Sequence, residues 1–71
     1  MITKTSTAYM VQVHYKGSKP SEWEDGGFYR KTEEEGRKRL IEMRAENKAM
    51  GCPYVDGHRL VRVDITTTVI E

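Results

Sequence analysis

The chain has 71 residues, with 12 lysines and arginines against 11 acidic residues and a formal net charge of +1. A domain this short buries only about 60% of its unfolded surface, so a homodimer or a larger partner would relieve a small core. The near-neutral charge excludes a global field that attracts nucleic acid or membranes. The single cysteine, Cys52, excludes an internal disulfide and fits a reducing cytoplasm.

The first regular element is a strand over Thr7 to Tyr15, where side chains alternate with the two-residue period of a half-buried strand. The residues expected to face the core are Tyr9, Val11, Val13 and Tyr15. Residues 1–6 are polar and lack this periodicity, which is typical of a disordered tail. The sequence therefore predicts one domain over residues 7–71.

The segment between this strand and the helix is rich in turn-forming residues. Residues 16–21 collect Gly, Ser and Pro, and Asp25-Gly26-Gly27 is a strong turn signal. Trp23 lies between two glutamates, and we expect its ring to close one end of the core; the alternative is an exposed aromatic that binds a partner. Residues 28–31 can add a short strand before the helix.

The stretch Thr32 to Met50 has the clearest helical chemistry. Thr32 followed by Glu35 forms a capping box at its start, and Gly51 supplies the stop. On a helical wheel one stripe is expected to face the sheet: Gly36, Leu40, Met43, Asn47 and Met50. Because glycine destabilises a helix interior, Gly36 indicates that the backbone closely approaches the sheet or Trp23.

The exposed helix surface is predicted to be segregated by charge. The basic flank consists of Arg37, Arg44 and Lys48, and the acidic flank of Glu35, Glu42 and Glu46. A narrow apolar line faces away from the core, formed by Ile41, Ala45 and Ala49. Isolated exposed apolar residues are common, so this line is either ordinary surface or a contact site.

The last element is a strand over Arg59 to Ile70, preceded by a link over residues 52–58 with a tight turn at Asp56-Gly57. Its apolar residues alternate, and we expect Leu40 to pack against Val11, Val13, Val61 and Val63. The predicted fold class is α+β, a small single domain with one helix packed on a two- to three-stranded sheet in β-(β)-α-β order.

The two long strands differ in predicted length. The last would extend about 40 Å and the first about 30 Å, so part of the last strand would lack a partner. Unpaired strand edges recruit other strands. We therefore expect a homodimer through the last strand.

Enzyme chemistry is not predicted. His14, Cys52 and His58 lack the paired spacing of a zinc site, and the two glycines at 26 and 27 are not followed by a phosphate-loop pattern. The acidic residues of the helix lie on one solvated flank, which does not separate an acid from a base. We expect no catalytic residue, no metal and no cofactor, and no membrane span is predicted.

Two segments, GGFYRKTEEEGRKRLIEMRAE and HRLVRVDITTTVIE, resemble small accessory proteins of bacteriophages and prophages, in which a strand, an acidic-capped helix and a closing R-x-V-R-type strand recur. The resemblance covers most of the chain, carries no catalytic residue and points to no single family. It implies a phage setting and the host cytoplasm. Proteins of this size often inhibit host factors there, as anti-CRISPR and other anti-defence proteins do, or bind DNA.

Two functions are therefore expected. The first is a protein–protein interaction module, an inhibitor of a host protein, whose partner-binding residues are Arg37, Ile41, Arg44, Ala45 and Lys48. The alternative is a small DNA- or RNA-binding protein that uses the basic flank, with the residues Arg30, Lys31, Arg37, Arg44 and Lys48.

Overall fold

Two long strands pair with each other along their whole length and form most of the sheet. In chain order the elements are β1 (Ile2–Tyr15), β2 (Glu24–Asp25), α1 (Glu33–Met50) and β3 (Val55–Val69). The computed structural model describes residues 2–71. The sheet is antiparallel with the order β2-β1-β3, and the helix packs on one of its faces. This is the predicted α+β class, in β-β-α-β order.

The ends of α1 confirm Thr32 and Gly51 as the predicted cap residues, with the first of the two capping-box bonds formed. The Thr32 hydroxyl accepts a hydrogen bond from the Glu35 backbone N–H at 3.1 Å. At the other end Gly51 adopts a left-handed conformation with φ 61°. The N–H groups of Gly51 and Cys52 donate to the carbonyls of Lys48 and Asn47, the two bonds of a Schellman motif.

The helix contacts the sheet most closely at Gly36, which is its one buried residue. A Cβ atom there would lie 3.0 Å from Cβ of Tyr9. The predicted close approach is thus confirmed for the sheet, and not for Trp23. Leu40, Met43 and Asn47 of the predicted stripe are half-buried. Met50 is 81% exposed, so its predicted place in the core is wrong.

The strand register corrects the expected partners of the helix. Val11 pairs with Leu60, and Ala8 pairs with Val63. Directly opposed residues share a face, so the odd positions of β1 lie beside the even positions of β3. Leu60 therefore lies under α1, whereas Val61 and Val63 face away from it. Met10, expected outside the core, is 3% exposed on that second face.

Both long strands begin earlier than predicted. Residues 2–6, predicted as a disordered tail, belong to β1 and pair with residues 65–69; residue 1 of that tail lies outside the described residues. Threonine-rich segments on both strands favour this pairing, because β-branched residues suit strands. The predicted overhang of the last strand is therefore corrected: β3 is paired with β1 from Val55 to Val69.

The predicted turn at Asp56-Gly57 is instead a bulge inside β3. His14 pairs with Gly57 and Tyr15 pairs with Val55, which leaves Asp56 as the extra residue. The Trp23 ring lies on Gly57, on the sheet face away from α1. It therefore covers the end of the second face around Gly57 and His14, and does not close the helix-side core.

The short strand expected at residues 28–31 is displaced. Its place is taken by β2, over Glu24–Asp25, and by one isolated bridge between Tyr9 and Arg30. Gly26 donates its N–H to the Val11 carbonyl at 2.8 Å, which keeps this connection against the edge of β1.

Candidate functional site

A groove of about 540 Å³ lies between α1 and β3, on the side of the helix that carries the basic flank. Its half-buried apolar residues, Tyr9, Leu40 and Leu60, form the floor. The polar residues that line it are exposed: Glu33, Arg37, Arg44, Arg59 and Arg62. An apolar floor with a basic border can accept a segment that combines acidic and apolar side chains.

All four arginines that line the groove are held by a hydrogen bond or an ion pair. Arg44 donates from Nη2 to the His58 carbonyl at 3.1 Å, which ties the helix to β3. Arg37 donates from Nε to Glu33 at 3.1 Å, one turn earlier. Arg62 lies 3.7 Å from Asp64. Exposed pairs of this kind contribute little to stability, so their main effect is to restrict where the cationic groups lie.

Arg59 borders the groove, but its guanidinium belongs to the other face of the sheet. Its Cζ lies 4.3 Å from the centre of the Trp23 ring, and its Nε donates to Gln12 at 2.9 Å. Gln12 in turn donates to Asp25 at 3.3 Å. The cationic groups that face the groove are therefore those of Arg37, Arg44 and Arg62.

The residues predicted to bind a protein partner lie on one continuous surface beside the groove. Ile41 is 67% exposed, and Ala45 and Lys48 are also exposed. Because residues three and four positions apart are neighbours on a helix, Ile41 lies next to both Arg37 and Arg44. The predicted partner-binding residues therefore lie together on the exposed helix surface that borders the groove.

The alternative nucleic-acid set is divided by the structure. Arg30 lies on the opposite side of α1, in a depression shared with the residues Glu35, Lys38, Arg39 and Glu42. Arg39 pairs there with Glu42 at 3.3 Å and with Glu46 at 3.1 Å. Arg30 therefore does not extend the basic flank. Lys31 is exposed and directly follows Arg30 in the chain.

Arg62, like Leu60 of the groove floor, is a groove residue that the sequence did not predict as part of the site. Its place beside α1 follows from its pairing with Tyr9, whose side chain lies under Gly36. The alternation of the last strand was visible in the sequence. Only the register shows which half of it faces the helix.

His14 and His58 have opposite environments. The two ring nitrogens of His14 face the Lys19 carbonyl and the Asp56 carboxylate, and these oxygens raise its pKa. Burial, together with the charge of Arg44, lowers the pKa of His58. Within residues 2–71, no three histidine, cysteine or acidic side chains come together as a metal site. The helical part of this same range lacks the length and apolar character needed to cross a membrane.

Comparisons with known proteins find no matching family model, no similar curated protein and no similar solved structure.

Proposed function

We propose that the protein is a non-enzymatic interaction module that binds another protein through the groove between α1 and β3 and through the helix surface beside it. The observation that carries this proposal is the apolar floor of Leu40 and Leu60, bordered by Arg37, Arg44 and Arg62 and adjoined by exposed Ile41. Interfaces combine such an apolar centre with a polar rim, and arginine is enriched in them.

The chemistry of the groove favours one kind of partner segment. Arginine forms bidentate hydrogen bonds with carboxylates, so the rim favours aspartate or glutamate. The floor favours an apolar side chain between those acids. The expected partner segment is therefore short, acidic and partly apolar, and the residues that would contact it are Arg37, Ile41, Arg44, Ala45, Lys48 and Arg62.

The resemblance to phage accessory proteins supplies the biological setting of this proposal. In that setting the partner is a host protein, and the module acts in the host cytoplasm as an inhibitor, for example as an anti-CRISPR or another anti-defence protein. Blocking a host factor requires only tight binding at its working surface, which a module without catalytic groups can provide.

Nucleic-acid binding is the second candidate, because β3 adds Arg62 to the two arginines of the helix. Three arginines around one groove could hold phosphates. Glu33 in the same lining and the acidic flank across the helix would repel a long polyanion. We therefore rank a protein partner first.

The test compares three variants in affinity capture from bacterial lysate, with and without nuclease, after circular dichroism has shown that each folds. Ile41→Asp places a charge on the exposed apolar surface beside the groove, and a triple variant replaces Arg37, Arg44 and Arg62 by Gln. Arg39→Gln is the matched control, because Arg39 lies on the acidic side of the helix. We expect one protein to be captured regardless of nuclease, to be lost in the first two variants and to be retained in the third.

Duplex DNA binding, measured by fluorescence anisotropy, separates the second candidate. Binding that survives Ile41→Asp, disappears in the triple Gln variant and falls with a log–log salt slope of about −0.9 per neutralised phosphate would establish nucleic acid as the partner.

A further inference from the structure

The sheet has a second apolar face on the side away from α1. The register places Ala8 beside Val63 and Met10 beside Val61, and these pairs point opposite to Val11 and Leu60. We call this surface the open face. It runs from the strand end at Ile2 and Val69 to Met10 and Val61 near the middle of the strands. Its residues are Ile2, Lys4, Ser6, Ala8, Met10, Val61, Val63, Ile65, Thr67 and Val69.

The open face has the composition of a covered surface. Antiparallel sheets that pack one face on a core normally carry polar residues on the other. Here Lys4 is the one charged residue of the open face. The helix-side face of the same stretch of β3 is more polar, since it carries Arg62, Asp64, Thr66 and Thr68. The apolar half of β3 therefore points away from α1, which is the only helix in residues 2–71.

The accessible surface area of the chain is larger than a compact monomer of its mass would expose. A compact monomer of 8.2 kDa exposes about 4,500 Å². This chain exposes 5713 Å², which is roughly 1,200 Å² more. Its radius of gyration is 14.9 Å, against about 11 Å for a compact domain of 71 residues. A standard interface buries about 800 Å² on each partner, so the excess is large enough for one such interface.

We propose that the open face binds the open face of a second copy of this chain, giving a two-fold symmetric dimer of sheets packed face to face. Such an interface must match itself. A surface whose centre is uncharged and built from Ala8, Val63 and Ile65 meets that demand, because its own copy brings no like charge to the centre. Face-to-face sheet packing also gives each copy the second layer that its small core lacks.

The dimer surface proposed here is the face of the last strand, whereas the sequence predicted a dimer through an unpaired part of that strand. It does not depend on the groove, which lies on the opposite face of the sheet, so both copies of a dimer leave their grooves accessible. Failure of one proposal therefore leaves the other standing.

The experiment is sedimentation equilibrium of the full chain from micromolar to millimolar concentration, with two lysine variants. Val63→Lys puts a charge at the centre of the open face. Thr66→Lys is the matched control, since it places the same charge on the same strand but on the other face. We expect a wild-type dimer, a dissociation constant raised at least about tenfold by Val63→Lys, and little change with Thr66→Lys.

A wild type that sediments as a monomer over the whole range would overturn the proposal, and this measurement needs no variant to fold. Equal weakening by the two lysines, or a dimer unaffected by Val63→Lys, would also overturn it, because both results point to pairing along the strand edge.

Discussion

Gly36 of α1 lies directly against Leu60 of β3: a Cβ atom on Gly36 would stand 2.8 Å from Cδ1 of Leu60. The same atom would lie 3.0 Å from Cβ of Tyr9, which cannot rotate away. Glycine in a helix interior costs about 1 kcal/mol relative to alanine. The close contact of helix and sheet at this point explains why that cost is accepted.

Gly36→Ala is expected to destabilise the fold although it improves helix propensity. Overpacking a close contact costs about 1–3 kcal/mol, which exceeds the gain of about 1 kcal/mol from alanine. Urea unfolding followed by circular dichroism measures the difference.

The matched test combines this change with Leu60→Ala, which removes the methyl group that the new Cβ meets. The double variant should be more stable than the sum of the single effects implies, by about 0.5–3 kcal/mol. Additive effects would show that Leu60 does not limit the approach of the helix.

Leu40 and Ile41 are adjacent in sequence but differ in burial. Leu40 is half-buried on the floor of the groove, whereas Ile41 is 67% exposed. Leu40→Ala should cost about 2 kcal/mol, at the low end for core truncations because the site is only partly buried. Ile41→Ala should change the free energy of unfolding by no more than about 0.5 kcal/mol. Similar losses in a urea titration would contradict the orientation of α1.

The local features of this fold were predictable from sequence. The cap at Thr32, the stop at Gly51 and the close approach at Gly36 each depend on a few neighbouring residues with one clear physical reason. The register of β1 and β3 was not predictable, because it joins residues up to 67 positions apart, from Ile2 to Val69. The early start of β1 depends on the same pairing, since residues 2–6, which are polar apart from Ile2, carry no apolar alternation of their own.

In the groove too, some residues could be predicted from local spacing, whereas others depend on the strand register. Helical spacing predicted that Arg37, Ile41 and Arg44 share one surface. It could not supply Arg62, whose side of β3 is set by the register. Arg30 was misplaced for a related reason: it precedes the helix, and its bridge to Tyr9 carries it to the acidic side.

Arg59 is expected to stabilise the second face through its contact with Trp23. Its guanidinium lies 4.3 Å from the ring centre and its Nε donates to Gln12. Loss of an exposed cation–π contact costs about 0.5–1 kcal/mol, so Arg59→Gln should lower the unfolding free energy by about that amount and change Trp23 fluorescence. Arg62→Gln, on the helix-side face, is the control and should change neither quantity. Equal effects of the two would show that general charge, and not the stacked ring, is responsible.

The ring of His14 can make both of its hydrogen bonds only when it is doubly protonated. One nitrogen faces the Lys19 carbonyl and the other the Asp56 carboxylate, and both are acceptors. These contacts raise the pKa of His14, so the folded state holds a proton that the unfolded state releases above about pH 6.5. Stability from His14 is therefore complete below about pH 6.5 and is lost as pH rises through the higher folded-state pKa.

His58 is expected to affect stability in the opposite direction, as pH falls below about 6.5. Burial and the charge of Arg44 lower its pKa, so the unfolded state binds the proton more readily as pH falls below about 6.5. Together the two histidines predict a stability maximum near pH 6.5. Urea midpoints measured from pH 5.5 to 8.5 should fall on both sides of it, and His14→Gln should remove the decline on the alkaline side only. Proton NMR titration should give a pKa above 6.5 for His14 and below it for His58; the reverse order would disprove the assigned contacts.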